Sequence, residues 1–156
     1  MSRRARVFFP VLGVLLLLDQ LSKAYARGLG GGKVPVLDGA VYFQLGLNPG
    51  IAFSLLTHAS AVLLAIAGLG VAVGICVWAL RARTFAAAGL VGLAMVASGA
   101  AGNAIDRVHM GRVTDFVVIQ IASFRWPTFN VADAALVVGV LVLLVAGNKA
   151  PATAAS

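Results

Sequence analysis

Five acidic side chains occur in the 156 residues, and not one of them is a glutamate. Three, Asp106, Asp115 and Asp133, fall where two long apolar runs end and begin. In a chain that is 61% hydrophobic such carboxylates are costly, and their placement points to chemistry. Asp115 and Asp133 read as a catalytic pair. Two carboxyl groups a few ångströms apart cannot both ionise, so one keeps a proton, and the pair can activate a water and protonate a leaving amine without a covalent intermediate. Asp115 follows Gly111 and precedes the strand-like Phe116 to Ile121, whereas Asp133 sits on the first turn of the last apolar run. The two therefore come from different elements and could face each other across a cleft. Asp133 also has an ordinary reading, because Asn130 as N-cap with Asp133 three residues later resembles a capping box that stabilises by about 1 kcal/mol.

Rival chemistries are poorly supplied. His58 and His109 stand alone, with no H-E-x-x-H segment to hold zinc. A Ser-Lys dyad from Ser98 or Ser54 with Lys23 would leave Asp115 and Asp133 unexplained. Neither G-x-S-x-G nor G-x-G-D occurs. The single cysteine, Cys76, has no second cysteine to pair with, which excludes disulfides and cysteine-cluster metal sites. Neither a metal nor another cofactor is expected.

The elements that must position the pair follow from composition. A mean hydropathy of +1.00 and 11% charged residues leave too little polar surface for a soluble domain, so this is an integral membrane protein. The length accommodates about four spans of roughly 20 residues in one membrane-embedded domain, 1–156. The spans are read at about 7–26, 59–80, 85–105 and 130–147, and glycines such as Gly68, Gly74, Gly92, Gly99 and Gly102 allow their close packing. The basic start, short apolar run and Ala24-Tyr25-Ala26 resemble a cleavable signal peptide, but Asp19 and Lys23 lie where small neutral residues are expected, so this stretch counts as the first span. Asp19 and Lys23, four apart, can pair on one helix face; a structural pair with a snorkelling lysine outweighs a catalytic role. Between the first two spans, Val34 to Leu45 reads as a short β-hairpin outside the hydrocarbon, followed by a turn at Asn48-Pro49-Gly50.

A net charge of +7 would suggest nucleic acid in a soluble protein. Here the bases are scattered, without interleaved aromatics, so anionic lipid headgroups are the expected partners and nucleic acid is not. Arg3, Arg4, Arg6, Arg81, Arg83 and Lys149 crowd into very short segments, which places both termini in the cytoplasm and the loops 27–56 and 106–128 outside. Asp19, Asn103, Asp106 and Asp133 then share a depth near the outer helix ends, the convergence expected of one site.

Five segments in this order resemble the motifs of bacterial lipoprotein signal peptidases, the signal peptidase II family: Asp19-Gln20-Leu21-Ser22-Lys23, Asn48-Pro49-Gly50-Ile51-Ala52-Phe53-Ser54, Gly99-Ala100-Ala101-Gly102-Asn103-Ala104-Ile105-Asp106-Arg107, Val113-Thr114-Asp115-Phe116 and Phe129-Asn130-Val131-Ala132-Asp133. The resemblance implies an all-α membrane protein of four transmembrane helices with a small extracytoplasmic β-cradle. It implies an aspartic endopeptidase of the bacterial inner membrane, expected to act as a monomer, that cuts diacylglyceryl-modified prolipoproteins just before the modified cysteine. It makes Asp115 and Asp133 the catalytic pair, with Asn103, Arg107 and Asn130 shaping and polarising the site. Asp19, Lys23, Asn48, Gly50 and Ala52, together with the motif residues Gly99 and Ala132, would support the site or contact substrate. The alternative from another class is a small proton-coupled transporter or channel component with Asp19, Asp106 and Asp133 as a relay, against which stands the lack of an internal repeat.

Overall fold

Ser2 opens the first helix by accepting a hydrogen bond from the Ala5 N–H at 3.2 Å, the side-chain cap that an orphan helical donor needs. The computed structural model describes residues 2–37, 39–50, 60–81 and 85–147. The chain runs α1 (Arg3–Gly28), β1 (Val34–Leu37), β2 (Val41–Asn48), α2 (Ala61–Arg81), α3 (Ala87–Met110), β3 (Val113–Ile121), β4 (Phe124–Arg125) and α4 (Val131–Gly147). Helices α1, α2 and α3 are each long and apolar enough to cross a membrane. At 17 residues, the apolar α4 is about 26 Å long at 1.5 Å per residue.

Helix α3 is the centre of the bundle and packs against α1, α2 and α4. Its sequence explains why: seven of its thirteen buried residues are alanine or glycine, letting neighbouring backbones approach closely. A Cβ on Gly99 would run into the Ala132 carbonyl and the Leu136 side chain on α4, and one on Gly102 would meet the Asp19 carboxylate on α1. These two glycines therefore bring α1 and α4, with their polar ends, up to α3. Gly99→Val is expected to cost about 1–3 kcal/mol through overpacking and to disturb the start of α4, whereas Gly70→Ala, with nothing within 4 Å of the added carbon, should leave thermal unfolding in detergent unchanged or slightly raised. Equal melting temperatures for the two variants would refute the packing role.

The sheet is four-stranded and antiparallel, ordered β1-β2-β3-β4. It is built on the hairpin expected over 34–45, but β2 continues to Asn48 and pairs it with Val113, so Asn48 ends a strand and is not free in a turn. β3 begins at Val113, which puts Asp115 within the strand and not ahead of it. The third helix also outruns the expected end at 105. Asp106 and Arg107 lie in its last turns, and the stop comes at Gly111, whose φ of 69° puts it in the left-handed region while its N–H bonds to the Arg107 carbonyl at 3.0 Å. The sequence reading ended this span where charge begins; these charges are buried and partnered, so the helix does not need to stop there.

Candidate active site

Helix ends and two strands supply the site. Asp115 comes from β3, Asp133 and Asn130 from the start of α4, Asn103, Asp106 and Arg107 from the end of α3, Asp19 and Lys23 from α1, and Asn48 from the end of β2. Asp19, Lys23, Asn103, Asp106, Arg107, Asp115 and Asn130 are all buried.

Two side-chain amides join the carboxylates. Asn130 Nδ2 donates to Asp115 Oδ1 at 2.7 Å and to Asn103 Oδ1 at 3.1 Å, and Asn103 Nδ2 donates to Asp133 Oδ1 at 2.8 Å. The second oxygens are also held: Asn48 Nδ2 donates to Asp115 Oδ2 at 3.0 Å and the Asn130 backbone N–H to Asp133 Oδ2 at 3.2 Å. Every carboxylate oxygen of the pair therefore accepts an N–H, which fixes both groups without neutralising either. The Asp133 N–H donates in return to Asn130 Oδ1 at 2.9 Å. The capping box is real, so Asp133 both stabilises the helix start and faces Asn103. Burial first, and the charge of Asp133 second, push Asp115 up to about 6, against the opposing pull of the Asn48 and Asn130 donors and the Lys23 charge.

Behind the pair lies an ionic cluster. Lys23 Nζ is 2.8 Å from Asp19 and 3.6 Å from Asp106, and donates to Asn103 Oδ1 at 3.0 Å. The expected pairing with Asp19 is present, but the lysine does not snorkel; it is wholly buried. The reason is tertiary, since two carboxylates and an amide oxygen from α1 and α3 replace the water that snorkelling would reach. Asp19 also accepts the Ala132 N–H at 2.9 Å, satisfying one of the orphan donors at the start of α4. Asp106 accepts the Thr114 N–H at 2.8 Å and so ties the start of β3 to α3.

Arg107 lies close enough to Asp133 and Asp115 to feel both charges. It donates to the Gly50 carbonyl and to its own turn at Asn103 O. Its buried Nε–H has no partner among the described residues. Gly50 donates its N–H to Asn48 Oδ1 at 2.9 Å, so the turn after β2 is bound on both its polar groups. Gly99, Gly102 and Ala132 form the packed seam beneath. Ala52, Ser54 and His58 lie outside the described residues. Among the described residues no group of His, Cys, Asp and Glu is placed to hold a metal.

Sequence reasoning missed three contributors. Gln20 donates to Asp19 and to the Gly102 carbonyl, and Arg27 donates to Thr114 Oγ1 at 3.0 Å and lies 3.6 Å from Asp106. The signal for Arg27 was available: it stands four residues beyond Lys23 and eight beyond Asp19, on the same helix face. Thr114 carried no signal beyond its place beside Asp115.

The model of the signal peptidase II family matches residues 11–148. The chain belongs to that family. It is 35% identical to the lipoprotein signal peptidase of Syntrophus aciditrophicus over 93% of this chain and 94% of the relative, and 38% identical to that of Deinococcus radiodurans over 92% and 81%. Membership makes the protein a peptidase of the aspartic, lipoprotein-processing type and decides against the transporter reading. Its fold is similar to a solved bacterial membrane enzyme, with a TM-score of 0.80 at 23% identity over 95% of this chain and 91% of that one, and to a second at 0.77 and 24% over 90% and 92%.

Proposed function

We propose that this family member removes signal peptides from diacylglyceryl-modified prolipoproteins with Asp115 and Asp133 as its catalytic pair, acting as a monomer of four spans in a bacterial inner membrane. The observation that carries the reading is the Asn130–Asn103 amide pair, which holds carboxylates from a strand and a helix start in one connected site. Both termini are cytoplasmic on this reading and the site opens near the extracytoplasmic face, as the crowding of basic residues on short segments supports.

The environments divide the labour. Asp133 sits at the N-terminus of α4, where the helix dipole and the Asn130 N–H favour a carboxylate. Asp115, on a strand without that dipole, keeps the shared proton. Asp133 takes a proton from the attacking water while Asp115 gives its own to the scissile carbonyl oxygen. As the C–N bond breaks, Asp133 passes its proton to the departing nitrogen and Asp115 recovers one from the hydrated carbon. The Nε–H of Arg107, which has no partner among the described residues, is a donor for a substrate carbonyl. The deciding experiment is cleavage of a diacylglyceryl-modified prolipoprotein by the purified protein beside its unmodified counterpart; equal cleavage of both would remove the lipid requirement.

Two predictions arise from this chemistry. Asp115 holds its proton more tightly in the folded than in the unfolded chain, where it would titrate near 4. Stability should therefore fall as pH rises from about 4 to about 6, and kcat/KM should decline on the alkaline side as the proton leaves. Asn48→Ala removes a donor that favours the ionised form, so the alkaline limb should move to higher pH. An unmoved limb would show that Asp115 is not the group titrating. Second, hydrolysis should show no burst and no inactivation by serine-directed reagents, because no acyl-enzyme forms; labelling of Ser54 or Ser98 with matching loss of activity would overturn the mechanism.

A further inference from the structure

Arg27, Thr114 and Asp106 close a ring behind the catalytic pair. Arg27, in the last turn of α1, donates from Nη1 to Thr114 Oγ1 at 3.0 Å and lies 3.6 Å from Asp106 Oδ1. The Thr114 N–H donates to the other oxygen of Asp106 at 2.8 Å. Thr114, wholly buried, therefore has its backbone donor held by α3 and its hydroxyl held by α1. Successive side chains on a strand point to opposite faces, so as Thr114 turns into this ring Asp115 is presented on the other face, to Asn130 and Asn48.

The strand needs an anchor at this point. On one edge of β3 the pairing with β2 is irregular between Phe43 and Gly46, and Gly46 is the partner of Asp115; an interrupted ladder leaves the local backbone less constrained. On the other edge the Phe129 carbonyl accepts the N–H groups of Phe116 and Val117, and so holds the strand only after Asp115. Thr114 is the residue before it. Charge supplies a second reason. Asp19 and Asp106 face Lys23 and Arg27, two acids against two bases, and because Arg27 serves Asp106, Lys23 is left closer to Asp19, at 2.8 Å against 3.6 Å. From there the ammonium donates to Asn103 Oδ1, the amide that bonds to Asp133.

We propose that Arg27 is a positioning residue for the cleavage reaction: through Thr114 it sets the place of Asp115, and by sharing Asp106 it leaves Lys23 free to orient Asn103. This role rests on Asp115 being one of the catalytic pair. A misplacement of about 1 Å can cost roughly 100-fold in rate, so release of this anchor should lower kcat by roughly 10- to 100-fold. KM should stay nearly unchanged, because the Thr114 side chain is wholly buried on the face opposite Asp115.

The test compares Thr114→Val, Thr114→Ser, Arg27→Met and the double variant Arg27→Met/Thr114→Val, each as the purified full chain acting on a diacylglyceryl-modified prolipoprotein below its melting temperature. Thr114→Val removes the acceptor and leaves the backbone bond to Asp106 in place, so kcat should fall by the stated factor. Thr114→Ser keeps the hydroxyl and should retain most of the wild-type kcat. Arg27→Met should fall at least as far as Thr114→Val, and the double variant no further than Arg27→Met, because the two residues share one contact. Wild-type kcat in Thr114→Val, equal losses in the valine and serine variants, or losses that multiply in the double variant would each overturn the proposal. A change confined to melting temperature would also overturn it, since the ring would then only hold the fold. Should Arg27→Met fail to accumulate, the two Thr114 variants decide alone. Asp115→Asn, assayed beside them, separates the two readings: turnover in that variant would remove the catalytic pair itself, whereas its inactivity with wild-type kcat in Thr114→Val would remove only the role of Arg27.

Discussion

Asp115→Asn and Asp133→Asn should each abolish prolipoprotein cleavage while the protein still accumulates in the membrane. On the proposed mechanism either substitution removes one member of the proton-sharing pair, and loss of a general acid or base alone costs roughly 10²- to 10⁴-fold in rate. A second effect adds to it here. Both oxygens of Asp115 accept amide N–H groups, from Asn130 and Asn48, so an asparagine must turn its own NH2 toward a donor and the network must rearrange. Asp133→Asn has the same difficulty between Asn103 Nδ2 and the Asn130 N–H, and it weakens the capping box by about 1 kcal/mol. Turnover of a lipid-modified substrate, measured beside membrane abundance and thermal unfolding, separates chemistry from folding. Near wild-type turnover in either variant would dissolve the pair.

Lys23→Met should produce the largest loss of stability of any single change in this protein. The lysine is wholly buried between Asp19 and Asp106, and removing one partner of a buried ion pair costs about 3–5 kcal/mol because the remaining charge is left in a medium that cannot solvate it. Asp106 keeps Arg27 at 3.6 Å and the Thr114 N–H; Asp19 keeps only neutral donors, Gln20 and the Ala132 N–H. Adding Asp19→Asn to Lys23→Met removes that stranded charge and should restore part of the lost stability. Activity should not return with it, since Asn103 Oδ1 has lost the ammonium at 3.0 Å that helps to orient the amide toward Asp133. Thermal unfolding of the two variants in the same detergent checks the first claim and turnover the second. If the single variant unfolds at the wild-type temperature, the cluster does not hold the helix ends together.

Much of this molecule was legible in its sequence for a physical reason. The four apolar runs are set by hydropathy, because lipid demands long helices whose backbones satisfy themselves. The hairpin of β1 and β2 is set by alternation between turn formers, and the small-residue seam on α3 by the alanines and glycines themselves. The rarity of acids made Asp115 and Asp133 conspicuous. The pairing of Asp19 with Lys23 followed from a spacing of four on a helix.

What only the tertiary structure decided is how those charges are satisfied. Lys23 could have snorkelled; three oxygens from two helices bury it instead. Asp106 looked like the end of a span and is a buried ligand for the start of β3. The link between Asn130 and Asn103, which joins the strand carboxylate to the helical one, spans 27 residues and rests on side-chain direction as well as order. Arg27 and Gln20 entered the network because Gly102, lacking a side chain, lets α1 close on α3. Local spacing carries no information about partners brought together by packing, and in a low-dielectric interior those partners determine whether a charge is tolerated.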